Sequence, residues 1–289
     1  MSARITPVRL TRAEGEAHLA LRQRGDQTVI DTLYQRGCAK IRFPRLDPGI
    51  ALQAVTLNTA GGLTDGDDIE QRVHWGAGTR ALVTTQAAER VYRSRGGDAH
   101  VRNVLTVEAG ARAVWLPQET IVFDGGRLAR AATITLAKDA TLFAAETWTL
   151  GRTAMGEAVH TGALHDRWRI EQEGTLLWAD ALQMDSERDG DLVALTRRRA
   201  VLDGNIAMMT AVLVTPLPER YLQPARGALE SCNVTAGVTH VGAVLVMRAL
   251  ATNAADLRHA LLHLFDALRS VDAPQNPLVA CEVPRVFDC

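Results

Sequence analysis

Three carboxylates and two histidine pairs are the side chains of this sequence best suited to chemistry. Asp67 closes the glycine-rich run Gly61-Gly62-Leu63-Thr64-Asp65-Gly66, Glu146 follows Leu142-Phe143-Ala144-Ala145, and Asp180 follows Leu176-Leu177-Trp178. Carboxylates among strand residues suit two different tasks. One is glycoside hydrolysis or elimination, with an acid/base pair and a helper drawn from Asp67, Glu146 and Asp180. The other is loose oxygen ligation of a divalent cation that must move on, since imidazole or thiolate would hold a borderline metal more tightly. His259 and His263 stand four apart with Ala260, Leu261 and Leu262 between them, so the glutamate base of a zinc-protease helix is missing and a surface role fits better. His160 and His165 flank Gly162 and could offer a weaker metal contact.

Other chemistries lack their signatures. The glycine-rich run has no Gly-Lys-Ser/Thr ending, which a phosphate cradle needs, so tight turns account for its glycines and a turn cap for Asp67. No Gly-x-Ser-x-Gly elbow occurs. Cys38, Cys232, Cys281 and Cys289 are scattered without a Cys-x-x-Cys pair, which argues against a disulfide framework or a structural zinc site. Arg90, Arg93 and Arg95 beside Tyr92 are diluted by Glu89 and Asp98, and Arg197-Arg198-Arg199 reads as a charged turn or strand edge. Lys and Arg total 32 against 33 Asp and Glu, so the basic surplus of a nucleic-acid protein is absent. Aromatic residues are 4% of the chain, which disfavours sugar-stacking platforms. Met1 to Leu10 has no apolar core after a basic start, and the run Val241 to Val246 is too short to cross a bilayer. The expectation is a cytoplasmic protein without membrane attachment.

The elements that must position these groups read mostly as strands. Ile69, Val73 and Trp75 alternate with Glu70, Arg72 and His74; Val101, Leu105 and Val107 alternate with Arg102, Thr106 and Glu108. Gly96-Gly97, Asp124-Gly125-Gly126 and Asp203-Gly204-Asn205 punctuate them. A weak helix is expected around Thr85 to Arg95. A firm one begins at the cap Asn253, with Leu257, Leu261, Leu264, Phe265 and Leu268 at helical spacing, and stops before Pro274. The fold class is all-β with one C-terminal helix, a single domain over 1–289 with a β-layered body to about 250 and the helix and tail over 251–289.

An internal echo refines that class. Gly78-Thr79-Arg80-Ala81-Leu82-Val83-Thr84-Thr85-Gln86 is matched by Gly110-Ala111-Arg112-Ala113-Val114-Trp115-Leu116-Pro117-Gln118. Looser copies start at Asp139 and Gly174, so the turn positions 78, 110, 139 and 174 are 32, 29 and 35 residues apart. Recurrence near 30 residues predicts stacked strand-turn units, a β-solenoid rather than a sandwich. Stacking would align Gln86, Gln118 with Glu119, Glu146 and Asp180 as a polar column.

Four blocks in order carry a resemblance. They are Asn58-Thr59-Ala60-Gly61-Gly62-Leu63-Thr64-Asp65-Gly66-Asp67, Thr84-Thr85-Gln86-Ala87-Ala88-Glu89-Arg90-Val91-Tyr92-Arg93-Ser94, Trp115-Leu116-Pro117-Gln118-Glu119-Thr120-Ile121-Val122-Phe123 and Leu150-Gly151-Arg152-Thr153-Ala154-Met155-Gly156-Glu157. Gly37-Cys38-Ala39-Lys40 and Pro284-Arg285 also fit, whereas Asp65 stands where many members have glycine and Val286-Phe287-Asp288-Cys289 replaces an Ile-Trp ending. Together they resemble the UreD urease accessory family. The resemblance implies a β-helical, non-catalytic chaperone that binds UreF and through it the GTPase UreG, docks on apo-urease UreABC and passes nickel through an internal tunnel. It implies that Asp67, Glu146 and Asp180 are tunnel carboxylates, with nickel in transit and no tightly bound cofactor.

Overall fold

The computed structural model describes residues 12–47, 49–152, 155–271, 278, 281–283 and 285–287. The alternation read from the sequence produces two facing sheets. The first has the order β14-β13-β11-β8-β5-β1-β2, with β1 Glu14–Arg24, β2 Gln27–Gly37, β5 Asp68–Trp75, β8 Ala99–Val107, β11 Arg127–Leu136, β13 Ala163–Gln172 and β14 Thr175–Asp185. The second has the order β16-β17-β15-β12-β9-β6-β4-β3, with β3 Ala39–Arg42, β4 Leu52–Asn58, β6 Arg80–Thr85, β9 Arg112–Trp115, β12 Thr141–Leu150, β15 Ala207–Val214, β16 Thr235–Val241 and β17 Val244–Ala251.

The middle of each sheet is parallel, because the chain alternates between the sheets in successive coils. β4 leads to β5, β6 to β8, β9 to β11 and β12 to β13. The repeat is thus structural. Arg80 lies beside Arg112 and Arg112 beside Thr141, the offsets of 32 and 29 residues read from the sequence. The copy at Gly174 does not stack. β14 instead returns antiparallel along β13 after a tight turn at Glu173 and Gly174, whose φ values are 50° and 75°. Two consecutive positive φ values favour a hairpin over a further coil.

Each middle coil has a third side. β7 Glu89–Val91 and β10 Thr120–Val122 run parallel to each other and to the second half of β12. The helix expected around Thr85 to Arg95 is therefore absent. There, Leu63 N donates to Arg90 O and Tyr92 N to Leu63 O, and Val91 is fully buried, so ladder pairing overrides the local preference of Ala87, Ala88 and Glu89.

One core fills the space between the sheets and includes Trp75, Trp115, Trp148 and Trp168. A second lies on the other face of the second sheet, under α3 Leu222–Glu230 and α4 Ala254–Arg269. β12 and β15 are accordingly buried along their whole length. The C-terminal helix is as the sequence reads it. Asn253 accepts a bond from Asp256 N at 2.8 Å, and Leu257, Leu261, Leu264, Phe265 and Leu268 are buried against the sheet. Pro274 lies outside the described residues. Two short helices, α1 Ser186–Asp189 and α2 Leu192–Thr196, follow β14. Among the described residues, no helix is long and apolar enough to cross a membrane.

Candidate functional site

Five polar residues occupy strand positions whose neighbours of the same parity are apolar. Gln71 shares the parity of Ile69, Val73 and Trp75; Asn103 that of Val101 and Leu105; Arg130 that of Leu128 and Ile134. Asp166 falls between Leu164 and Trp168, and Glu146 between Ala144 and Trp148. Alternation turns all five into the space between the sheets.

Glu146 is 3% exposed and fully engaged. Its Oε1 accepts from Trp115 Nε1 at 2.9 Å and Asn103 Nδ2 at 3.2 Å, and its Oε2 accepts from Arg130 Nη1 at 2.5 Å. Arg130 also grips Asp166 with two bonds, Nε to Oδ1 at 3.0 Å and Nη2 to Oδ2 at 2.7 Å, and reaches Thr120 Oγ1 at 3.2 Å. Two carboxylates share one guanidinium, so with both ionised this buried network carries one excess negative charge. Burial pushes the Glu146 carboxyl above its ordinary value against the pull of Arg130. Burial alone would lower the pKa of Arg130, but the charges of Asp166 and Glu146 hold it above its ordinary value.

Glu146 and Arg130 line an inner cavity of about 50 Å³ together with Gln71, Glu89, Asn103 and Gln118. An outer cavity of about 150 Å³ adjoins it, sharing Ile69, Gln71, Thr85 and Glu89. The outer rim includes the exposed Gly61, Gln86, Ala87 and Arg90. Glu89 thus belongs to both cavities, the outer one that opens at the surface and the inner one that holds Glu146. Glu89 accepts from Asn58 Nδ2 at 3.2 Å on each oxygen, and burial pushes its carboxyl up to about 7 despite those bonds. The Gly61-Gly62 pair shapes this mouth. A Cβ on Gly62, whose φ is 146°, would lie 2.4 Å from the Tyr92 ring and 2.8 Å from Arg90 O.

The three carboxylates of the sequence reading fall in three different neighbourhoods. Glu146 lines the inner cavity. Asp67 is buried, but its oxygens accept from Ala13 N at 2.7 Å and Thr64 N at 2.8 Å, the turn-cap arrangement. Asp180 is the register partner of Trp168 on β14 and is ion-paired with Arg248. Glu146, Thr210 and Arg248 are register partners across β12, β15 and β17, so one row of the second sheet leads from Glu146 to the partner of Asp180.

The expected column is therefore broken, because its last member belongs to the antiparallel hairpin. Gln118 donates to Gln86 O at 2.9 Å, as stacking requires, whereas Glu119 turns away to Arg258 of α4. His259 and His263 stack at 6.1 Å on the exposed face of α4. His160 meets Asp191 at 3.0 Å and His165 meets Gln183 at 3.3 Å, each in its own pairing. Among the described residues, no three His, Cys, Asp or Glu side chains converge on a metal-sized site. Burial pushes the Cys38 thiol up and that of Cys281 to about 12, away from nucleophilic thiolate; Cys289 lies outside the described residues.

Comparison with known proteins bears on what these cavities serve. The family model described as UreD urease accessory protein matches residues 13–281. The urease accessory protein UreD of Rhizobium leguminosarum bv. viciae is 43% identical over 259 residues, covering 90% of this chain and 92% of its own length. That of Rhizobium etli is 42% identical over 265 residues, covering 92% and 94%. That of Sinorhizobium medicae is 39% identical over 280 residues, covering 96% of both.

Proposed function

The chain belongs to the UreD urease accessory protein family, and from that premise we propose that it is a scaffold through which nickel reaches apo-urease. It is an accessory protein and not an enzyme. In this reading it works in the cytoplasm in a complex with UreF and, through UreF, UreG, and docks on UreABC while nickel moves along the interior as cargo. The observation that supports the reading is the excess buried carboxylate at Glu146, 3% exposed and lining the inner of two adjoining cavities.

Charge in a water-poor interior needs a counter-charge. A divalent ion arriving at Glu146 supplies it and must compete with Arg130 Nη1 for Oε2. Oxygen donors return only part of the hydration lost, so the ion stays mobile. Glu146 is thus the carboxylate that meets the ion, while Asp180, on the facing sheet, pairs with Arg248, which lies on the same sheet row as Glu146. Asp67, capped by two backbone N–H groups, contributes by holding the turn beside the mouth.

The hydrolase or lyase alternative is left without support. Its three carboxylates have separate bonding partners, and the cavity at Glu146 is about 50 Å³, too small for a sugar ring. The test of the delivery role is the nickel content and activity of urease purified from cells with and without this chain. Nickel-poor, weakly active urease in its absence, restored by re-expression, is expected. Equal loading in both would overturn the proposal.

A further inference from the structure

The four strands that end the two sheets differ in how they are closed to further pairing. β2 carries Asp31 and Arg36, and its register with β1 shifts at a bulge. β14 carries Asp180 and Asp185, and its register with β13 shifts likewise. β3 has only four residues, Lys40 and Arg42 among them. Charges, bulges and shortness are the devices that keep an edge from pairing with another chain. β16 has none of them. Its run Thr235-Ala236-Gly237-Val238-Thr239-His240-Val241 contains no acid, lysine, arginine or proline, pairs with β17 without a shift, and is exposed except at Val238 and His240.

The hairpin fixes which way the backbone groups of β16 point. Val241 and Val244 are register partners across the two-residue turn Gly242-Ala243, with Gly242 at φ 58°, so Val241, Thr239, Gly237 and Thr235 bond to β17. The N–H and C=O groups of Ala236, Val238 and His240 therefore point away from the sheet. Arg226 of α3 agrees with this, since its Nη2 donates to Val238 O at 3.1 Å. The three outward N–H groups have no hydrogen-bond partner among the described residues. Arg226 is exposed, and no carboxylate among the described residues pairs with it.

We propose that the free edge of β16 docks an extended segment of a different protein chain, which adds a strand to the second sheet and sets an Asp or Glu side chain against Arg226. Strand addition gives the outward N–H groups their acceptors, and such main-chain bonds supply affinity. The charge at Arg226 argues against a second copy of this chain. Antiparallel pairing of two β16 strands about a two-fold axis at Val238 would bring both Arg226 guanidiniums to that axis, where like charges repel. A carboxylate at the same place forms a charge-assisted pair instead. β16 and β3 are opposite ends of the second sheet, and the outer cavity is lined from β3, β4 and β6, so a docked strand leaves its opening clear. The inference does not rest on the nickel reading.

The experiment is hydrogen exchange at single-residue resolution across β16, on the full-length chain alone and in the assembly formed with UreF, UreG and apo-urease. In the chain alone, the amides of Ala236, Val238 and His240 are expected to exchange about tenfold or more faster than those of Gly237, Thr239 and Val241, and in the assembly to slow by about tenfold or more. Ala236→Pro removes an outward N–H and leaves the β17 ladder intact, while Arg226→Glu reverses the charge that meets the partner. Each is expected to weaken assembly by about tenfold, and Arg226→Lys to retain it. The charge reversal keeps the test decisive if the proline variant folds poorly. Unchanged exchange at the three amides on assembly, or full assembly of Arg226→Glu, would overturn the inference. Protection that grows with the concentration of the chain alone would make the occupant a second copy and overturn it too. The delivery role fails separately, only if urease is loaded equally with and without the chain.

Discussion

Replacing Arg130 by methionine removes the one cation that two buried carboxylates share. Glu146 and Asp166 are 3% and 5% exposed, so water cannot take over the role of the guanidinium. Breaking a buried ion pair from one side costs about 3–5 kcal/mol, because it strands an uncompensated charge. Here the substitution also forfeits the bond to Thr120. In a Glu146→Gln/Asp166→Asn background the same Arg130→Met change strands no carboxylate and should cost less than about 1.5 kcal/mol, the range of a volume-conserving core exchange. The two costs therefore differ by about 1.5 kcal/mol or more, read as urea midpoints at pH 7. The pH dependence has a definite sign. Burial already raises the Glu146 carboxyl with Arg130 present, and without Arg130 it rises further, so the folded state holds its proton more firmly than the unfolded chain. Stability lost as pH rises through that folded value is regained on acidification, and the Arg130→Met deficit should shrink between pH 7 and pH 5. A cost below about 1 kcal/mol, or the same cost in both backgrounds, would refute the claim that Arg130 neutralises a buried interior site.

Further outcomes follow from four single positions. Glu89, raised from 4.5 to about 7, contributes stability below pH 4.5 that is lost as pH rises through 7, so Glu89→Gln should stabilise the protein by up to about 3 kcal/mol at pH 8 and hardly at pH 5; an equal gain at both pH values would contradict this. Gly62→Ala should cost more than about 1 kcal/mol in urea denaturation, since its Cβ strikes the Tyr92 ring at positive φ, whereas Gly227→Ala in α3, where nothing lies within 4 Å, should gain about 0.5–1 kcal/mol. Asn253→Ala should cost about 1 kcal/mol, because α4 loses the acceptor for Asp256 N, and Asn253→Asp should restore most of it.

The solenoid was legible because its coils repeat in register: Arg80, Arg112 and Thr141 are adjacent at the offsets the sequence shows. The helix at 254–269 was legible from its cap and apolar spacing. β7 was hidden, since three residues are too few to show a period and only pairing with β10 and Leu63 makes them a strand. The turn before β14 resembles the coil turns, and only the backbone at Glu173 and Gly174 distinguishes it. Of the site, the sequence reading names Glu146 but not Arg130, Asp166, Asn103 or Gln71. Their signal was present. Each is a polar residue on the apolar parity of its strand, a costly placement unless the interior contains partners or a ligand. Alternation could show that they face inward, but not that strands 30 residues apart bring them together. The 35-residue step to Gly174 extended the column to Asp180 in error, since spacing alone does not separate a coil from a hairpin.

The most direct test of the central claim is the nickel content per active site of urease made beside wild-type chain or beside Glu146→Gln. Glutamine keeps an acceptor oxygen for Trp115 and Asn103, so the variant should still fold and join the complex. The account predicts urease several-fold poorer in nickel, with the complex recovered in normal amount. Full nickel loading beside a folded, assembled Glu146→Gln chain would contradict it.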